Sequence, residues 1–183
     1  MIGSIAAPSL VLDPNGHGQT RWEDCRPSRR DYPRHVDDIP VLGLTPLDAA
    51  NAATENGWRF DRTARPGQGR LTGRDTIGLL LVLISPRHEH GAQALRDWAD
   101  FVHINHIAAA GVPGYTMITP YENAAEGPRF LHLYEMDADD PEATFQGMTP
   151  LLKSRLDPAE FDTWAVHREL RIDYVSTYRL IDD

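Results

Sequence analysis

Residues 76–85 read TIGLLLVLIS. Side chains along a strand alternate between two faces, and here both sets are apolar: Leu79, Leu81 and Leu83 on one, Leu80, Val82 and Ile84 on the other. A strand greasy on both sides belongs in the middle of a sheet that is covered on both faces.

Downstream, residues 87–111 carry a helical pattern closed by Gly111, and 112–123 and 129–138 read as two strands joined by the hairpin loop AAEGP. A second helix opens at Asp140 with Pro141 in its first turn and is expected to be interrupted at Gly147 and Pro150. A third is expected over 157–170, again opening on Asp-Pro, and 171–181 reads as a closing strand. Strand, helix, strand, strand, helix, extra helix, strand is the ferredoxin-like split βαβ plan, an α+β fold with a four-stranded antiparallel sheet. Its helices cover one face. The other face is too apolar for water, so the pattern predicts a second copy of the chain packed sheet to sheet, a homodimer.

Residues 1–75 differ in texture, being rich in Pro, Gly, Asp and Arg. They are expected to form an irregular N-terminal extension packed on the 76–183 domain, with one short helix signalled by Thr45 as N-cap, Pro46 and Asp48 in its first turn and Gly57 at its end. RPGQGRLTG, residues 65–73, reads as a linker, and no internal repeat is visible.

Composition narrows the function. A net charge of −9 with a single lysine, Lys153, argues against nucleic acid, and no run approaches the roughly 20 apolar residues of a membrane span. RPSRRDYPR, residues 26–34, is basic, but Asp37 and Asp38 follow, so a solvated, self-neutralising loop is expected. The first residues lack the basic start of a cleaved signal. One cysteine, Cys25, permits no intrachain disulfide, which points to a cytoplasmic setting and an ordinary loop thiol.

The chain's chemistry concentrates around HINHIAAAGVPGYTMITPYEN, residues 103–123. In a regular helix Leu95, Trp98, Val102, His106 and Ala109 share a stripe, which puts His106 on the buried side and His103 toward solvent. Phe101, Ile104 and Ile107 form a second stripe that the N-terminal extension is expected to cover. The strands offer Tyr115, Met117, Thr119 and Tyr121 on one face and Phe130, His132, Tyr134 and Met136 on another. Meeting His106, these would make a pocket for a flat or hydrophobic small molecule, lined by Trp98, Val102, Tyr115, Met117, Phe130 and Tyr134. A metal would need His103 and His106 plus His132 or Glu135. Pairs of histidines three apart arise readily by chance among eight, so no metal is predicted.

Residues 97–137 resemble the dimeric α+β barrel superfamily, in particular its EthD-like branch, on Trp98, His106, Pro113, Gly114, Tyr115, Tyr121 and Tyr134. The resemblance covers about residues 76–181. It implies a cofactor-independent enzyme acting on a hydrophobic or aromatic small molecule by proton transfer, through cyclisation, isomerisation or dehydration. His106 would be the general acid or base, His132 a second proton carrier, and Tyr121, with Tyr115 or Tyr134, the hydrogen-bond partner of a developing enolate. The alternatives are a non-catalytic binding or accessory protein, a haem protein with His106 or His132 as axial ligand, and a cofactor-free monooxygenase. Two departures stand out: Asn105 replaces an acidic residue common in the family, and TFQGMTPLL lacks the histidine that several members carry there.

Overall fold

The stretch that opens the reading runs as strand β5 (Gly78–Pro86) and is covered on both faces, but by one chain alone. The computed structural model describes residues 2–47, 57–63 and 72–181. Among them are eight strands: β1 (Ser9–Asp13), β2 (Thr20–Asp24), β3 (Val41–Leu47), β4 (Trp58–Arg62), β5, β6 (Tyr115–Glu122), β7 (Phe130–Met136) and β8 (Leu170–Leu180). All neighbours are antiparallel in the order β1-β3-β2-β8-β5-β7-β6-β4, and β4 returns to β1 to close a barrel. Closure removes the unpaired edges that an open sheet would leave.

This overturns the expectation of a four-stranded ferredoxin-like sheet completed by a second copy, and with it the irregular extension. The face assigned to a partner is buried by β1–β4 of the same chain. Leu79, Leu81 and Leu83 meet Leu10, Leu12, Trp22, Leu42, Leu44 and Phe60 inside the barrel, which is a packed core rather than a channel. Counted within each half, both sets of four strands run fourth, first, third, second. The first half escaped notice because its strands are only five to seven residues long and carry loop-like residues.

The expected helix start is likewise a strand: Thr45 and Pro46 pair with Val11 and Leu10. Pro46 lies beyond the last β2–β3 pair, Thr20 with Leu44, so its missing N–H leaves no β2 partner unbonded. Pairing across the barrel outweighed a good local capping signal. Residues 48–56 and most of the expected linker lie outside the described residues.

The helices cover the outer face of β5, β7 and β8. α1 (Ala92–Trp98), a π-helical stretch Ala99–His103 and α2 (Ile104–Ala110) form one rod, stopped by Gly111 at φ 63°. α3 (Pro141–Arg155) starts where the Asp140 carboxylate accepts the Ala143 N–H at 2.9 Å. It runs through Gly147 and Pro150 without the expected interruption. α4 (Pro158–Ala165) opens on a capping box between Asp157 and Glu160 and ends sooner than the sequence suggested. Ile104 and Ile107 pack against Phe145, Met148 and Leu152 beside α3, not under an N-terminal arm, while Phe101 is 60% exposed.

The π-helical stretch explains the misplaced histidines. A π turn holds one residue more than an α turn, so every later side chain is carried round by one position. The inward positions expected at Val102, His106 and Ala109 fall instead at His103, Ile107 and Ala110. Among the described residues, no helix is long and apolar enough to cross a membrane.

Candidate functional site

Between the sheet's outer face and the helices lies a cavity of about 250 Å³. Its floor comes from the even-numbered face of β5, Leu80, Val82 and Ile84, with His132 and Tyr134 of β7 and Ile172 and Val175 of β8. Its roof comes from Trp98 and His103 of the helical rod, Phe145 and Met148 of α3, and Phe161 and Trp164 at α4. Tyr32, on the connection between β2 and β3, closes one side, and Thr149, Ala165 and Leu170 complete the lining.

Aromatic packing fixes the roof. The His103 ring lies parallel to Trp164, 5.1 Å away at 3°, and against Trp98 at 5.0 Å. Trp98 is backed by His167 at 5.4 Å and donates its indole N–H to the Thr163 carbonyl at 2.8 Å. The indole Nε1 of Trp164 is buried with no hydrogen-bond partner among the described residues.

Two imidazoles share this apolar space. His103 Nδ1 lies 2.9 Å from the Trp164 carbonyl, which can only accept, so the neutral ring carries its proton on Nδ1 and leaves Nε2 as an acceptor. Burial pushes its pKa down to about 4, against the upward pull of that hydrogen bond. His132 is 3% exposed. Burial, with a smaller contribution from His103, pushes it down to about 3. No hydrogen bond holds the His132 ring among the described residues. Burial also raises the pKa of Tyr134, so its phenol stays protonated.

Tyr32 is anchored by charge. Arg29, its side chain 2% exposed, pairs with Glu142 at the start of α3 and with Asp31 at 3.3 Å. Its guanidinium lies 5.3 Å from the Phe145 ring, and Tyr32 packs 5.9 Å from the same ring. Thr177 Oγ1 donates to Glu142 at 2.6 Å. The basic run is therefore a partly buried clasp rather than the expected solvated loop.

Of the residues singled out from sequence, Trp98, His132 and Tyr134 line the cavity. Phe130 packs with Trp98, Ile84 and Leu95 beside it, with Val102 against the same cluster. Tyr115 lies behind Tyr134, rings 5.5 Å apart, with its hydroxyl on Met148 Sδ at 3.7 Å. His106 is half-buried and outside the cavity wall. Tyr121 and Met117 are on the opposite side of the sheet. A bulge between Tyr115 and Met117 sets Met117 and Tyr121 opposite Glu135 and Leu131, whereas Tyr115 and Ile118 oppose Met136 and Tyr134. Tyr121 fills the barrel interior and donates to the Ala7 carbonyl at 3.2 Å. Glu135 is also on the interior side, accepting from Ser4 Oγ at 2.8 Å and Thr76 Oγ1 at 2.7 Å, so it meets neither His103 nor His106 as a ligand partner.

His103, Tyr32 and Trp164 are the site residues that sequence reasoning missed. Trp164 had a signal, the apolar pair Phe161 and Trp164 three apart on a capped helix. Cys25 is half-buried, and burial raises its pKa, which disfavours the reactive thiolate.

No protein-family model matches the sequence, and no curated protein matches it. The fold has solved counterparts. A major regulator of staphylococcal pathogenesis is 10% identical with a TM-score of 0.54, over 94% of this chain and 99% of that one. An anthrone oxidase-like protein is 14% identical with a TM-score of 0.51, over 97% of this chain and 80% of that one. At these identities the likeness is one of fold: a barrel-like α+β architecture.

Proposed function

We propose that the chain binds a flat, hydrophobic aromatic small molecule in this cavity and moves a proton on it without a cofactor. The observation that carries the reading is a pair of neutral imidazoles, His103 and His132, in a cavity otherwise walled by aromatic and aliphatic side chains. At about 250 Å³ the space is just under the roughly 300–1,000 Å³ of drug-sized sites, which suits two or three fused rings. Trp98 and Tyr134 would hold the ring system. His103 Nε2 would accept the proton, His132 would be the second carrier, and the Tyr134 phenol would donate to the oxyanion formed.

One structural neighbour is named for an aromatic small molecule, the anthrone oxidase-like protein, which supports the reading. We also propose kinship with the EthD-like branch, on Trp98, Pro113, Gly114, Tyr115 and Tyr134.

Trp98 and Trp164 supply the assay. Titration with 1-naphthol and with anthrone should quench tryptophan fluorescence saturably, and the interconversion of bound anthrone with its enol, a proton removed from carbon and returned to oxygen, should run faster than in free solution when followed by absorption. Val82→Trp, which fills the cavity from the floor, should abolish both signals. If neither compound quenches up to millimolar concentration, or if Val82→Trp quenches as the unaltered chain does, the cavity is not the site.

A further inference from the structure

We propose that His88, His90 and Glu169 form a binding site for one divalent transition ion of the zinc class, separate from the cavity. The candidate ligand atoms of the three residues all lie within 4.8 Å of one another. None of them lines the cavity.

The backbone builds the site. His88 is extended, at φ −133° and ψ 137°, and the 3₁₀ turn Glu89–Gly91 brings His90 back beside it, with the two rings stacked 5.4 Å apart at 20°. Glu169 arrives just ahead of β8, held by its carbonyl accepting the Arg87 N–H at 2.9 Å. A Cβ at position 91 would sit 2.5 Å from the Glu169 carboxyl carbon, so glycine is what lets the carboxylate reach this spot.

The spacing suits a metal. His88 Nδ1 and Glu169 Oε2 are 3.1 Å apart. Two donors on a tetrahedral zinc, with bonds of about 2.0–2.1 Å, stand about 3.4 Å from each other. Glu169 is 7% exposed while both imidazoles are open to solvent, so the anionic ligand is fixed in place and an ion can enter from outside. Among the described residues the guanidinium paired with Glu169 is that of Arg168, at 3.8 Å, 85% exposed and able to swing away.

Two imidazole nitrogens and one carboxylate oxygen favour zinc-class ions over magnesium or calcium, which take oxygen ligands. Three protein ligands leave a fourth position for water.

The test is calorimetric titration of the untagged, chelator-stripped full chain with zinc chloride, then cobalt substitution read by visible absorption. One ion per chain is expected, with the d–d bands of a four-coordinate cobalt centre. His90→Ala and Glu169→Gln should each weaken binding by at least about tenfold, and His103→Gln should leave it unchanged. His90 is exposed, so His90→Ala should keep the fold, which far-UV circular dichroism checks. No saturable binding up to 1 mM zinc overturns the proposal, as does a folded His90→Ala that binds zinc like the unaltered chain.

Discussion

At the scale of single residues, the two imidazoles of the cavity give the clearest expectations. His103→Gln and His132→Gln should each lower the rate of ligand deprotonation by about 100-fold or more, the usual size of an acid–base contribution, while His106→Gln costs less than about tenfold. Stopped-flow absorbance decides this, and a larger loss at His106 would move the chemistry out of the cavity. A second expectation concerns acid. In the folded chain His103 and His132 stay neutral down to about 4 and about 3, whereas in the unfolded chain both protonate near about 6.5. Below that value the unfolded state binds more protons. The stability present above about pH 6.5 is therefore lost as pH falls toward 4, by up to about 1.4 kcal/mol per unit and imidazole. Urea unfolding at pH 7.5 and 5.0 should show a smaller loss for the double variant His103→Gln/His132→Gln, and equal losses would mean the imidazoles are not buried as described. His132 and Tyr134 were legible because strand alternation alone puts them on one face. Tyr32 was not: nothing in RPSRRDYPR distinguishes a clasp on Glu142 from a run of solvated charges until the partner, 113 positions beyond Arg29, is known.

Among the elements, the helical rod carries the most instructive error. Its limits were readable from Gly111 and its apolar residues, but periodicity assumes a constant 3.6 residues per turn, and the π-helical stretch Ala99–His103 breaks that assumption. Deleting Phe101, an exposed residue within the stretch, should restore a regular helix that keeps Leu95, Trp98, His103, Ile107 and Ala110 on one side. The melting temperature should then change by only a few degrees. Deleting Asn105, beyond the stretch, should rotate Ile107 and Ala110 out of the core and cost about 2–5 kcal/mol, the range for losing a buried aliphatic side chain. Thermal melts of the two deletions compare them directly, and equal damage would count against a spare residue in the stretch. The bulge in β6 is the same lesson in a strand: one extra residue at Tyr115–Met117 moved Tyr121 from the expected pocket to the barrel interior.

For the molecule as a whole, the second half was legible in element order and the first was not. Long regular elements announce themselves by period, whereas SLVLD and TRWED are strands only because of what they pair with. The apolar inner face of β5 and β7 was recognised correctly as needing a cover, and only the source of that cover differed. A fragment of residues 76–181 should therefore self-associate through the face that β1–β4 normally occupy. Light scattering should find dimers or larger species, and a folded monomeric fragment would show that the first half is not needed to bury that face. Closure within one chain also sets a stoichiometry. A barrel built from two identical copies must carry two identical chambers, each bounded by the same residues. Here the two halves share a strand order but not a sequence, so the cavity can sit against one half while the other lends Tyr32 as its wall. Asymmetry of this kind lets either contribution change by mutation without its mirror image changing too.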